Sequence, residues 1–141
     1  MNTEDILKEL SFYFMNFICH QLFIKEFGTI LRKNVSGKEQ RLFRQLVTQL
    51  ENIKSFGRLV YRTDNNEQLK GKNGHYYSIH LESSQYNIRL LIYISNNNTP
   101  YFLSAFYERA GKRHTDYSGY ISVLDERLRQ LSEISGDDQN E

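Results

Sequence analysis

The sequence predicts an α+β domain: an antiparallel sheet with two N-terminal helices packed on one face and a C-terminal helix. Three observations predict it. Apolar residues recur at steps of three and four over 42–53, and again over 117–131. Between these stretches lie three runs rich in β-branched, aromatic and leucine residues, divided by polar turns. Helices that precede and follow a meander, rather than alternating with strands, belong to the α+β class.

Taken in order, residues 11–19 read Ser-Phe-Tyr-Phe-Met-Asn-Phe-Ile-Cys. That aromatic density favours a buried strand, although Leu7, Leu10 and Phe14 also keep a helical spacing. Leu22, Phe23, Phe27, Ile30 and Leu31 predict a short helix. Ser36-Gly37-Lys38-Glu39 has the form of a helix start, with Ser36 as cap and Glu39 three residues on. Leu42, Phe43, Leu46, Val47, Leu50 and Ile53 then make an amphipathic helix that ends near Gly57, its stripe facing the core. The expected strands are Tyr76–Leu81, Ile88–Ser95 and Tyr101–Tyr107. The last helix carries Tyr117, Tyr120, Ile121, Leu124, Leu128 and Leu131, with Asp116 or Thr115 as its cap. One domain is expected over residues 1–135, and 136–141 reads as a disordered acidic tail because it has no apolar side chain.

Composition narrows the function classes. A chain of 141 residues and 16.8 kDa is one domain long. With 39% hydrophobic and 25% charged residues it is globular rather than disordered. The lone Cys19 excludes an internal disulfide framework and a thiolate metal cage, and a free thiol suits a reducing cytosol. The apolar stretch Phe12–Ile24 is interrupted by Asn16, His20 and Gln21, is too short to span a bilayer, and follows acidic Glu4 and Asp5. A cytoplasmic protein without a membrane partner is therefore expected. The formal net charge of +1 divides into −2 over residues 1–9, +7 over 10–124 and −4 over 125–141. A basic body with acidic ends points to a polyanionic partner.

Several chemistries are excluded by absence. There is no Gly-rich phosphate loop before a helix and no Gly-x-Ser-x-Gly elbow. Adjacent Cys19 and His20 would face opposite ways on a strand. His20, His75, His80 and His114 lack zinc-ligand spacing, so neither metal nor cofactor is expected. What remains is a basic and aromatic set in the second half. Lys70 and Lys72 precede the first meander strand, His80 lies in it, and Arg89 opens the next. Arg109, Lys112, Arg113 and His114 follow the third strand, and Tyr117 and Tyr120 begin the last helix. Antiparallel pairing brings the end of one strand beside the start of its neighbour. Arg89, His80 and the 109–114 segment are therefore expected to converge on a solvent-open cleft. Such a set suits RNA cleavage through the ribose 2′-oxygen. His is the natural acid or base, Arg and Lys hold the phosphate, and Tyr stacks on bases. The bland alternative is a solvated basic surface, with Arg89 held in an ion pair to Glu82 or Glu108.

The stretch Leu69-Lys70-Gly71-Lys72-Asn73-Gly74-His75-Tyr76-Tyr77-Ser78-Ile79-His80-Leu81 resembles the Leu-Lys-Gly element and following strand of RelE/ParE-superfamily toxins, above all their HigB-like branch. Ile88-Arg89-Leu90-Leu91-Ile92-Tyr93 resembles the next strand of that family, and Phe102–Lys112 resembles its apolar strand and late basic cluster. The resemblance spans residues 11–132, and its specific part is 69–113. It implies a RelE-like fold and a type II toxin paired with a cognate antitoxin. It also implies metal-independent cleavage of mRNA on the ribosome. ParE-like members instead inhibit DNA gyrase without chemistry, and an inactive RNA- or protein-binding relative is a third reading. By position the resemblance gives Arg89, Arg109 and Lys112 as catalytic, with His80 where the family carries Lys or Arg and His114 and Tyr117 near its C-terminal catalytic region without a strict match; His80 and His114 are accordingly expected in catalysis, and Lys70, Lys72, Arg113 and Tyr117 on the nucleic acid. Three residues depart from the pattern: Glu108 where Lys is usual, Ser78 for a charged residue, and Ile88 for an aromatic one.

Overall fold

The computed structural model describes residues 4, 5, 8, 9, 12, 14, 17–69, 74–109, 112 and 115–135. Its strands are β1 (Ile18–Cys19), β2 (Glu67–Gln68), β3 (Tyr76–Glu82), β4 (Asn87–Ile94) and β5 (Pro100–Tyr107). The helices are α1 (Gln21–Asn34), α2 (Glu39–Phe56) and α3 (Ile121–Ser135), with 3-10 turns at Gly57–Arg62 and Ser118–Tyr120. The five strands form one sheet in the order β1-β5-β4-β3-β2. The class is α+β, as expected.

β3, β4 and β5 make the antiparallel meander, and its strands fall within a residue or so of the expected ranges. The sheet is mixed rather than antiparallel, because β1 runs parallel to β5, pairing Ile18 with Tyr101 and Cys19 with Phe102. The expected strand over 11–19 shrinks to Ile18–Cys19, and Phe12 is helical with Phe14 in a 3-10 turn. The physical reason lies in the aromatics. Phe14 meets Phe17, Phe23 and Phe102 edge-on at 5.2–6.2 Å between ring centres, so these rings serve a cluster rather than a ladder. The expected cap at Ser36 is also absent. α2 begins after Lys38 with no side-chain cap, since Gly37 at φ +85° turns the chain just before it. α1 is capped instead by His20, whose Nδ1 accepts from Leu22 N–H. The tail 136–141 lies outside the described residues.

Strand alternation divides the core in two. On one face Tyr77, Ile79, Leu81, Ile88, Leu90, Ile92 and Ile94 pack against Phe23, Phe27 and Leu31 of α1 and Leu42, Leu46, Leu50 and Ile53 of α2. On the other, Tyr76, Leu91, Tyr93, Tyr101 and Leu103 pack against Leu124 and Leu131 of α3. β4 is central and wholly buried, so its apolar run has little alternation to show. Among the described residues no helix is long and apolar enough to cross a membrane.

Candidate functional site

The register of β3 against β4 sets His80 directly opposite Arg89. Both project to the sheet face that carries α3, alongside Ser78. At this end of the face the apolar packing of α3 gives way to Lys112, to residues 115–117 and to β2. That crossing closes a polar cluster centred on Glu67.

Glu67 Oε2 accepts from Tyr117 Oη at 2.6 Å and from His80 Nε2 at 3.0 Å, and lies 3.6 Å from Arg89 Nη1. Arg89 uses its whole guanidinium. Nε donates to Asn87 Oδ1 (3.2 Å) and Nη2 to the Lys112 carbonyl (2.9 Å). Nη1 donates to Tyr117 Oη (2.6 Å) and Thr115 Oγ1 (3.2 Å). Ser78 Oγ sits 2.9 Å from the same phenol. Because the Tyr117 proton goes to Glu67, the phenol oxygen is the acceptor for both Arg89 and Ser78. Around this cluster, Glu108 accepts from Thr115 Oγ1 at 3.1 Å and from the Arg109 N–H at 2.9 Å, and pairs with Lys112 Nζ at 3.5 Å. The acid that departed from the basic pattern is thus neutralised locally.

The electrostatics follow from burial. The Tyr117 phenol is pushed up to about 12, first by burial and then by its bond to Glu67. His80 is held below its usual 6.5 by burial and then by Arg89, against the pull of Glu67. It is therefore neutral near pH 7. With Nε2–H donating to Glu67, Nδ1 carries the lone pair and has no hydrogen-bond partner; Glu82 Oε1 is 3.7 Å away. Glu108 is held low chiefly by the Arg109 N–H.

A cleft of about 380 Å³ opens beside the cluster, lined by Glu67, Gln68, Leu69, Thr115, Asp116, Tyr117 and Ser118. Glu67, Thr115 and Tyr117 are the members of the cluster that reach it. Arg89 does not, since its side chain is 0% exposed. Tyr117 joins the cluster unexpectedly, and the expected convergence of His80 and Arg89 with the segment after β5 is present at Lys112, through its carbonyl rather than its ammonium. The expected solvent-open position of Arg89 is not, because β4 is the central strand and Lys112, Thr115 and Tyr117 close over its guanidinium. Its ion-pair partner is Glu67, not Glu82 or Glu108. Arg109 is exposed in the adjoining turn, and its side chain makes no contact with the cluster among the described residues. Lys70, Lys72, Arg113 and His114 lie outside the described residues. Sequence reasoning missed Glu67, the hub. Its one sequence signal is its place two residues before Leu69, at the head of the Leu-Lys-Gly element. No group of His, Cys, Asp and Glu able to hold a metal occurs among the described residues.

No protein family, no curated protein and no solved structure matches the chain.

Proposed function

We propose that the chain is a RelE-like toxin that cleaves RNA without a metal, acting on mRNA and held in check by an antitoxin. What carries the reading is one observation: a phenol, Tyr117, donates to a carboxylate, Glu67, at 2.6 Å in the wall of an open cleft. Arg89 and His80 brace the pair from behind. In this reading Glu67 takes the 2′-hydroxyl proton. The 2′-oxygen attacks phosphorus, and the P–O5′ bond breaks. Tyr117 gives its proton to the 5′-oxygen, and Arg89 stabilises the phenolate left behind. The products are a 2′,3′-cyclic phosphate and a 5′-hydroxyl. Arg89 and His80 are positioning residues, because neither reaches the cleft. Lys112, paired with Glu108 next to Thr115 of the cleft wall, supplies positive charge for the phosphate.

The test is Tyr117→Phe, which keeps the ring and removes the proton. A loss of cleavage of ~100-fold or more is expected, in a variant that stays folded but melts lower, since Arg89 and Ser78 lose their phenol acceptor. Cleavage at the wild-type rate by the folded variant would remove Tyr117 from the reaction. One observation favours a second reading, a non-cutting RNA- or protein-binding relative: every donor nitrogen of Arg89 is engaged internally. That protein would hold RNA in a salt-dependent way and leave it intact.

A further inference from the structure

A second groove lies on the far side of His80. It is lined by Arg41, Arg44, Gln45, Thr48 and Gln49 of α2, by Asp64 and Asn65 of the loop before β2, and by His80 and Glu82 of β3. Its volume of about 380 Å³ is within the range of small-molecule sites. Arg41 and Arg44, one turn apart and exposed, make no salt bridge among the described residues. The two carboxylates are oriented rather than neutralised. Glu82 Oε1 accepts from Asn65 Nδ2 at 2.7 Å, and Asp64 Oδ2 accepts from Asn52 Nδ2 at 3.0 Å. Asp64 is one of two non-glycine residues with positive φ among the described residues, at +48°. His80 is 96% buried as a side chain, since 4% is exposed, and its Nδ1 is a lone pair without a hydrogen-bond partner. Two guanidinium side chains and two oriented carboxylates therefore line the same groove.

We infer that this groove takes a nucleotide of the RNA substrate and prefers guanine. Guanidinium forks match phosphate oxygens. Of the four bases, guanine presents adjacent N1–H and N2–H donors on its pairing edge, which fit the fork of Glu82. Unpaired bases are commonly read on that edge. Adenine places an acceptor at N1 and would meet the carboxylate with a lone pair. His80 stands between this groove and the Glu67–Tyr117 cleft, with Nε2 toward Glu67 and Nδ1 toward Glu82. A base seated here therefore lies next to the reacting pair. The inference rests on the RNA reading and adds a base preference to it.

The test is calorimetric titration of the full chain with GMP, AMP, UMP and inorganic phosphate. A 2′-O-methyl hexamer with one guanine, and its adenine counterpart, complete the set. GMP is expected to bind at least tenfold tighter than AMP, UMP or phosphate, and the guanine hexamer tighter than GMP. Arg41→Ala with Arg44→Ala should weaken GMP and AMP alike, and Glu82→Gln should weaken GMP alone. Thr48→Trp, at an exposed helix position, should block every nucleotide while leaving the fold intact. Equal affinity for GMP and AMP, or GMP binding unchanged by the arginine and Thr48 variants, would overturn the inference. A free nucleotide binding tighter than the hexamer would overturn RNA as the source. None of these ligands can be cleaved by 2′-oxygen attack. A chain that cuts RNA but ignores GMP thus loses only the groove, and one that binds GMP but never cuts loses only the nuclease reading.

Discussion

At the scale of single residues, burial decides what each group can do. Arg89 occupies the place where sequence suggested a phosphate ligand, yet it is the hub of an internal network. Removing it leaves the Asn87 amide oxygen without a donor, takes one of two donors from the Lys112 carbonyl and strips Glu67 of its buried cation. Arg89→Ala is expected to cost ~3–5 kcal/mol of folding stability, measured by chemical denaturation. For that reason it is a poor probe of activity. His80 gives a cleaner signal. Its folded pKa lies below the ordinary 6.5, so the unfolded chain binds the extra proton as pH falls. Stability should therefore be full above about pH 7 and decline as acid is added through the His range. His80→Gln should flatten that decline in melting temperature. An unchanged slope would mean that His80 is not buried neutral.

Elements hold the site through their ends more than their middles. α2 stops where Gly57 adopts φ +52°, and a Cβ there would lie 2.4 Å from Asn98 Oδ1. Both conditions exclude a side chain, and Gly57→Ala is expected to destabilise by more than ~1 kcal/mol. A second junction is the clasp of Glu26 and Arg127 at 2.8 Å. Glu26 accepts from Ser104 Oγ and Ala105 N–H, and Arg127 donates to the Leu103 carbonyl, so α1 and α3 together cap the open edge of β5. Burial alone would raise the Glu26 carboxyl, but Arg127 and the Ala105 N–H outweigh it and hold it low. Arg127→Met should speed amide exchange at Ala105, which native-state exchange would detect. Protection equal to wild type would show that the edge is held without the clasp.

Across the whole molecule, what was legible in sequence is what local pattern controls. The meander strands, the amphipathic helix ending at Gly57 and the final helix each carry their own period, and they appear close to where that period puts them. Long-range pairing leaves no such mark. Nothing local tells Ile18–Cys19 to run parallel to β5, and Glu67–Gln68 is too short a strand to show alternation. The cluster was half legible for the same reason. His80, Arg89 and Tyr117 stood out by residue type and strand position, while Glu67 is an ordinary loop acid until β2 pairs with β3 and brings it to them.

The central claim is that Glu67 and Tyr117 cut RNA through its own 2′-oxygen. It is tested most directly by incubating the purified chain, in chelator and with and without ribosomes, with an RNA and the same RNA carrying 2′-deoxy sugars. The account predicts fragments ending in 2′,3′-cyclic phosphate from the ribose strand and none from the deoxy one. An intact ribose strand under both conditions, or equal cutting of the two, would contradict it.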